Sequence, residues 1–381
     1  MKIHIVTEIP GPYRNPHFFE LERQLAEKGH HLKVHFMAET DDIRPASWFD
    51  KGRISFTHQF HKTRILRVGR RKIYWNPGII HDVIKEKPNI IITGGLWSSL
   101  TCLCLILFWP KKRLIGWAEL NENVLGVSNP LTNWIRRRLL LKPIALALPG
   151  VSAEYYLQKT LGINRQGINV IPFPNLIDEV IFNADNARQH DLLAELGLTI
   201  DCRIALWPAR LEEEKGIEEF LQLLEQELLA GWKIVLIGEG SKRQSIEQIL
   251  RTKELESTVE IRPYVSPETM SHYYSVADLL LLPSLRDPNP LSVIESLRMG
   301  IPMLLSDAVG NHYEALTNDN GWLLPLKLST TEKKQILNSV FSQTSVQLQE
   351  MGRRGREVYR EKWQVAPSCA RTISAILSLQ R

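Results

Sequence analysis

The sequence predicts an α/β protein of two doubly wound, Rossmann-like domains facing a central cleft. Three observations predict it. Short apolar runs alternate with helical patterns along almost the whole chain, the mark of parallel sheets covered by helices. The alternation breaks off in a polar stretch at 183–201 and then restarts. With 381 residues, the chain is long enough for two domains.

The first series of strands is expected at 2–6, 32–36, 90–93, 114–117 and 145–148, with 170–175 as its last strand and exit. Between the first two, Phe18, Leu21 and Leu25 recur at helical spacing and Gly29 ends the helix. The apolar run 100–109 is too short for the roughly 18 residues that span a bilayer, so a buried helix is expected there. The second series runs 203–207, 233–237, 259–262, 279–282 and 302–306, with a helix expected over 217–229. Domain boundaries follow at 1–180 and 181–355. The terminal helix, 356–381, is expected to return to the first domain.

Composition narrows the function. The chain is 44% hydrophobic and 23% charged, which excludes a disordered protein. A net charge of +5 is too small to indicate a nucleic-acid binder. Basic residues nonetheless cluster in the first half: Lys62, Arg64, Arg67, Arg70, Arg71 and Lys72, then Lys111, Lys112 and Arg113, then Arg136, Arg137 and Arg138. They form either solvated faces or a surface for an anionic membrane or acceptor. Cys102, Cys104, Cys202 and Cys369 show no zinc spacing and no CxxC pair, as expected of reduced thiols in a cytoplasmic protein. The start of the chain reads as a strand and is too short for a signal peptide.

Ligands of open α/β sheets bind where loops leave the carboxyl ends of the strands. Two such loops carry chemistry. In Trp207-Pro-Ala-Arg-Leu-Glu-Glu-Glu-Lys-Gly216, Arg210 and Lys215 precede a helix start. A diphosphate needs such positive charge and the free N–H groups of a helix end; a charged loop balanced by Glu212, Glu213 and Glu214 would look the same. In Pro283-Ser-Leu-Arg-Asp-Pro-Asn-Pro-Leu-Ser-Val-Ile-Glu295, a helix begins near Pro290 or Leu291 and stops at Gly300. Asp287 precedes it and Glu295 lies about one turn inside. An anion fits on the N–H groups of Leu291 and Ser292, with Asn289 in the preceding loop. Alternatively, Asp287 is a turn residue and Glu295 pairs with Arg298 on the surface. Gly238-Glu-Gly240 is expected to allow close approach of backbone to a ligand; as a dinucleotide fingerprint it lacks the third glycine.

In this order the segments resemble glycosyltransferase family 4. The motifs are Arg210-Leu211…Lys215-Gly216, Gly238-Glu-Gly240, Tyr264-Val265-Ser266, Pro283-Ser284, Asp287-x7-Glu295 and the Gly-x-Pro stretch ending at Pro302, with Pro174-Asn175 upstream. The resemblance implies a GT-B fold and retaining transfer of a sugar from a nucleoside-diphosphate sugar to a hydroxyl of a glycan or lipid-linked acceptor. It implies a hexosyltransferase-type enzyme in bacterial polysaccharide or glycoconjugate synthesis, with no cofactor and no metal required. Arg210 and Lys215 would hold the diphosphate, Glu295 the ribose, Asp287 the sugar near its reacting end, and backbone around Tyr264 and Val265 the base. Gly11, in the loop that also carries Tyr13 and Arg14, would approach the donor. Two departures stand out. Asp287 replaces the family's usual Glu. No His occurs between His81 and His190, and Glu119 is the candidate to stand where the family often has one. A GT-B protein that binds a nucleotide-sugar without transferring it, and a nucleotide-sugar epimerase, are the alternatives.

Overall fold

Short strands buried on both faces need helices on either side, and both main sheets are built that way. The structure is a computed structural model that describes residues 1–11, 14–40, 54–68, 71–95, 98–120, 129–183, 190–198 and 201–379. The chain forms two units, Met1–Asp178 with Gln364–Arg381, and Glu179–Trp363.

In the first unit the strands are β1 (Lys2–Thr7), β2 (His31–Phe36), β3 (His58–Phe60), β4 (Arg64–Val68), β5 (Arg71–Trp75), β6 (Ile90–Thr93), β7 (Leu114–Trp117), β8 (Ala145–Leu148) and β9 (Asn169–Pro172). Seven of them form a parallel sheet in the order β3-β2-β1-β6-β7-β8-β9, while β4 and β5 make a separate antiparallel hairpin. The hairpin and β3 carry polar, basic sequences without the apolar runs that marked the other strands, and sequence patterning missed them.

The helix Asn15–Glu27 covers one face of the sheet, burying Phe18, Leu21 and Leu25. The helix Leu100–Phe108 is capped by the Ser99 hydroxyl and buries Thr101, Cys102, Leu105 and Ile106. Its last turn departs from the expected buried helix: Leu107 is exposed and Phe108 is 83% exposed. The final helix, Val365–Ser378, belongs to this unit. The Thr372 hydroxyl donates to the Pro172 carbonyl at 2.6 Å, and the Gln24 amide donates to the Ala366 carbonyl at 2.8 Å.

In the second unit, β10 (Arg203–Pro208), β11 (Trp232–Ile237), β12 (Val259–Arg262), β13 (Leu279–Leu282), β14 (Met303–Ser306) and β15 (Gly321–Leu324) form a parallel sheet ordered β12-β11-β10-β13-β14-β15. The core is the sheet itself: Ile204 to Trp207, Ile234 to Leu236 and Leu279 to Leu281 are inaccessible to solvent. The expected helix over 217–229 is shorter. It spans Ile217–Leu223, and the chain turns extended at Leu224 so that both Leu224 and Leu229 are buried. The expected domain limit after residue 355 falls inside the helix Ser345–Lys362, and the chain changes units only beyond it. Periodicity could not place that limit, because Leu348 and Tyr359 of the same helix are both buried.

That helix also fixes the helix Leu291–Met299. A Cβ at Gly352 would lie 1.9 Å from the Gly300 carbonyl oxygen, so the two backbones meet with no room for a side chain. Gly300 is left-handed at φ 72° and ends the helix. Gly352→Ala should therefore separate the two helices and destabilise the protein by about 1–3 kcal/mol, the usual cost of overpacking. The midpoint of urea unfolding reads this directly; an unchanged midpoint would refute the close packing.

Candidate functional site

The strand order of the second sheet reverses between β10 and β13. Here the chain leaves β10 toward β11 on one side and returns through β13 on the other, opening a crevice at the carboxyl ends. Both chemically marked loops start from these two strands.

The first loop carries Arg210 and Lys215 beyond β10. Gly216 sits left-handed at φ 65°, and a Cβ there would meet the Pro283 carbonyl oxygen at 2.6 Å. A glycine therefore presses the end of the β10 loop against the start of the β13 loop. That approach delivers Lys215 Nζ to Asp287 Oδ2 at 2.5 Å, with the two side chains 15% and 9% exposed. The backbone of Asp287 is held as well. Its N–H donates to the Ala308 carbonyl at 3.2 Å, and its carbonyl accepts from the Gly310 N–H at 2.8 Å. Burial pushes the Asp287 carboxyl above its ordinary value, and the Lys215 ammonium offsets that only in part.

Arg210 does not join this pair. Its guanidinium is 65% exposed and meets Glu214 at 2.5 Å, the i,i+4 balance that the acidic loop sequence allowed. Glu212 accepts from the Ser241 N–H and hydroxyl, which ties the β10 loop to the turn after β11. Gly238 and Gly240 explain that junction: Cβ atoms there would lie 2.0 Å and 2.3 Å from the carbonyl oxygens of Ala209 and Leu211. The close approach expected of this turn is thus made to the β10 loop.

The helix Leu291–Met299 begins beyond Asp287 with Pro290 at its N-cap, a residue with no side-chain acceptor to cap the helix. Leu291 and Ser292 lie in its first turn, part-buried, after the part-buried Asn289. The buried Asn311 amide donates to the Pro290 carbonyl at 3.0 Å and anchors the entry. Glu295 is not the surface partner of Arg298. It is part-buried in the helix, and burial pushes its carboxyl up to about 7, against the opposing effect of the nearby Tyr274 hydroxyl, which donates to the Ser292 carbonyl at 3.4 Å. Arg298 instead donates from Nε to the Phe182 carbonyl at 3.0 Å. Tyr264, 40% exposed, and Val265 follow β12, next to the turn where the Gly238 N–H bonds the Arg262 carbonyl.

The first sheet reverses in the same manner, between β1 and β6. A pocket of about 110 Å³ opens there, lined by Thr7, Glu8, Arg14, Gly95, Trp117 and Glu119 among others. Arg14 donates to Thr7 Oγ1 at 3.0 Å, pairs with Glu119 at 2.7 Å and lies over the Trp117 ring at 4.6 Å. Glu119 is thus an ion-pair partner, 46% exposed, and the loop carbonyl of Gly11 accepts from the N–H groups of Arg14 and Asn15. Tyr13 and Arg70 lie outside the described residues.

Sequence reasoning missed Tyr274, Asn311, Glu8 and Ser98. Tyr273 and Tyr274 are adjacent, and only the packed helix shows that Tyr274 faces Glu295 while Tyr273 meets Arg262 at 2.7 Å. Glu8 bonds Ser98 from another loop, a contact with no local signal.

Two α/β units whose parallel sheets each reverse strand order define the class, and the fold is GT-B. Residues 193–358 match the family model "Glycosyl transferases group 1". The chain is 24% identical over 187 residues to alpha-D-kanosaminyltransferase of Streptomyces kanamyceticus, covering 48% of each chain. It is 29% identical over 129 residues to the putative teichuronic acid biosynthesis glycosyltransferase TuaC of Bacillus subtilis (strain 168), covering 34% of this chain and 31% of that one. These matches thus span about half of the first relative and a third of the second. Among solved structures, HepE of Anabaena in complex with UDP and glucose superimposes with a TM-score of 0.72 at 13% identity, covering 99% of this chain and all of that one. Together the family match, the relatives and the fold support the GT-B glycosyltransferase superfamily.

The Lys215–Asp287 pair yields a pH prediction. The Asp287 carboxyl lies above its unfolded value, so its contribution favours folding at low pH and is lost as pH rises through the folded value. Without the ammonium it rises further. Lys215→Met should therefore lose thermal stability more steeply than the parent as pH rises above the ordinary carboxylate range, and adding Asp287→Asn should abolish the extra slope. Equal slopes in parent and Lys215→Met would show that the pair is not coupled.

Proposed function

We propose that the chain is a retaining, hexosyltransferase-type glycosyltransferase of family 4, moving a sugar from a nucleoside-diphosphate sugar to a hydroxyl of a glycan or lipid-linked acceptor. The observation that carries this reading is the Lys215–Asp287 pair at the sheet reversal, beside a helix N-terminus whose N-cap proline offers no acceptor. The diphosphate sits on that helix end and on Lys215, with Arg210 swinging from Glu214 to a second oxygen. Asp287, released from Lys215, accepts from a sugar hydroxyl.

The bond from the anomeric carbon to the phosphate oxygen breaks and a bond to the acceptor oxygen forms on the same face. The acceptor proton passes to the departing diphosphate. Lys215, Arg210 and the helix end stabilise the charge that builds there, and this is the role metal-free catalysis requires. Glu295 binds the ribose diol, and Tyr264 and Val265 border the base. The similarity to a kanosaminyltransferase and to a putative teichuronic acid biosynthesis glycosyltransferase supports glycosyl transfer in polysaccharide synthesis.

An anionic membrane as the acceptor's setting is supported by the first unit. Exposed Leu131, Trp134 and Ile135 on the helix Pro130–Leu140 lie among Arg137 and Arg138, and Lys142 bonds the Leu107 carbonyl beside exposed Phe108 and basic Lys111 and Lys112. Aromatic and aliphatic side chains ringed by cations suit an interfacial surface. No described helix is long and apolar enough to cross a membrane.

Three outcomes are expected. Lys215→Ala should lower donor turnover by about 10²–10³-fold with the fold intact; unchanged turnover would remove the diphosphate assignment. Glu295 binds a diol best when ionised, and its carboxyl titrates at about 7. Affinity for a nucleoside-diphosphate sugar should therefore fall from pH 8 to pH 6, and Glu295→Gln should bind weakly and without that slope; a parent affinity independent of pH would contradict the ribose role. Flotation with phosphatidylglycerol vesicles should be lost in Trp134→Ala combined with Arg138→Glu, whereas equal flotation of that variant would exclude this face.

A further inference from the structure

On the first sheet, one face of β1 and β2 carries histidines where apolar residues would ordinarily pack. His4 of β1 is 3% exposed and His35 of β2 is wholly buried. His61 follows β3 on the same side. Three imidazoles stand in a row: His35 Nδ1 lies 3.0 Å from His61 Nε2, and His35 Nε2 lies 3.0 Å from His4 Nδ1. The helix Pro77–Glu86 covers them and contributes two carboxylates. Glu86 lies 3.5 Å from His4 Nε2 and 2.7 Å from Lys33 Nζ. Asp82 offers an oxygen to the other end of the row, and a ligand atom from each of His35, His61 and Asp82 lies within 4.8 Å of the other two.

We propose that His35 Nδ1, His61 Nε2 and an Asp82 oxygen form a binding site for a divalent zinc-type cation. Two nitrogens and a carboxylate oxygen are a borderline-soft donor set that suits Zn²⁺, with water completing a tetrahedron. Zn–N bonds of about 2.0–2.1 Å place two nitrogens about 3.3 Å apart, a few tenths of an ångström from their present separation. The surroundings have the form that orients metal ligands. With both ligand nitrogens on the metal side, His35 keeps its Nε2–H for His4 Nδ1 at 3.0 Å, and the Glu86 carboxylate lies 3.5 Å beyond His4 Nε2. Asp82 accepts from the Gln59 amide at 2.8 Å. Gly78 makes room for the His61 ring, since a Cβ there would stand 3.3 Å from Nδ1. His61 and Asp82 are only part-buried, which gives an ion a path from solvent.

The ion would clip β2, the segment after β3 and the covering helix together within the first unit, whereas Lys215 and Asp287 belong to the second. Its role is therefore in holding the first unit, and nucleotide binding does not test it. The test is a calorimetric titration of the untagged full chain, stripped with chelator, with Zn²⁺ alone. One saturable equivalent is expected. His61→Ala and Asp82→Asn should each abolish it, and His4→Phe, which removes only the partner of His35 Nε2, should weaken it by about 10–100-fold. Co²⁺ should give the visible absorption of a tetrahedral site in the parent and not in Asp82→Asn. Circular dichroism checks each variant; where His61→Ala loses its fold, the part-exposed Asp82→Asn decides the matter. Absence of a saturable equivalent in the parent overturns the proposal, leaving a neutral hydrogen-bonded histidine chain. So does an equivalent that Asp82→Asn leaves unchanged.

Discussion

The second unit depends on the contact of the β10 loop with the β13 loop, closed by Lys215 on Asp287 at 2.5 Å. Taking one partner from a buried ion pair ordinarily costs several kcal/mol, because the other charge stays desolvated. The pair is tolerable here because each member has an alternative. Asp287, with its carboxyl already raised, can take a proton. Under the proposed function, Lys215 would turn to an anion on the neighbouring helix end. Such a contact, costly as a static brace, would suit an exchange of partner on donor binding.

The neighbouring parts hold that contact in place. Gly216 removes the Cβ that would part the two loops, and Gly238 and Gly240 do the same between the β11 turn and the β10 loop. Gly352 lets the helix Ser345–Lys362 lie against Gly300, which sets the height of the helix Leu291–Met299 above the sheet. Burial among the helix surroundings then determines what Glu295 is, a carboxyl pushed up to about 7 in place of a surface charge, with Tyr274 acting against that rise. Gly216, Gly238, Gly240 and Gly352 are sites of backbone contact, and the charged residues nearby derive their properties from that contact.

Much of this was legible in one dimension. The apolar runs gave the strands from β6 to β8 and from β10 to β14 with little error, since a strand buried on both faces has nowhere to place polar residues. Proline before the helix Leu291–Met299 and Gly300 after it marked both ends. β3 and the β4–β5 hairpin were not legible, because edge and hairpin strands carry polar and basic residues that match loop composition. The spacing of the loop motifs singled out Lys215, Asp287 and Glu295, whereas Tyr274, Asn311 and Glu8 meet partners in other elements and carry no local signal.

The sequence by itself determined the alternation of strand and helix, the loops that leave the strand ends, and the charged residues those loops carry, because each is a property of neighbours along the chain. The tertiary structure alone decided who meets whom. It turned Lys215 toward Asp287 and Arg210 toward Glu214, enclosed Glu295 and joined Arg14 to Glu119. It also gathered His4, His35 and His61 from separate segments onto one face. Charge state and partnership depend on burial and distance, and neither exists until the strands are ordered in the sheet.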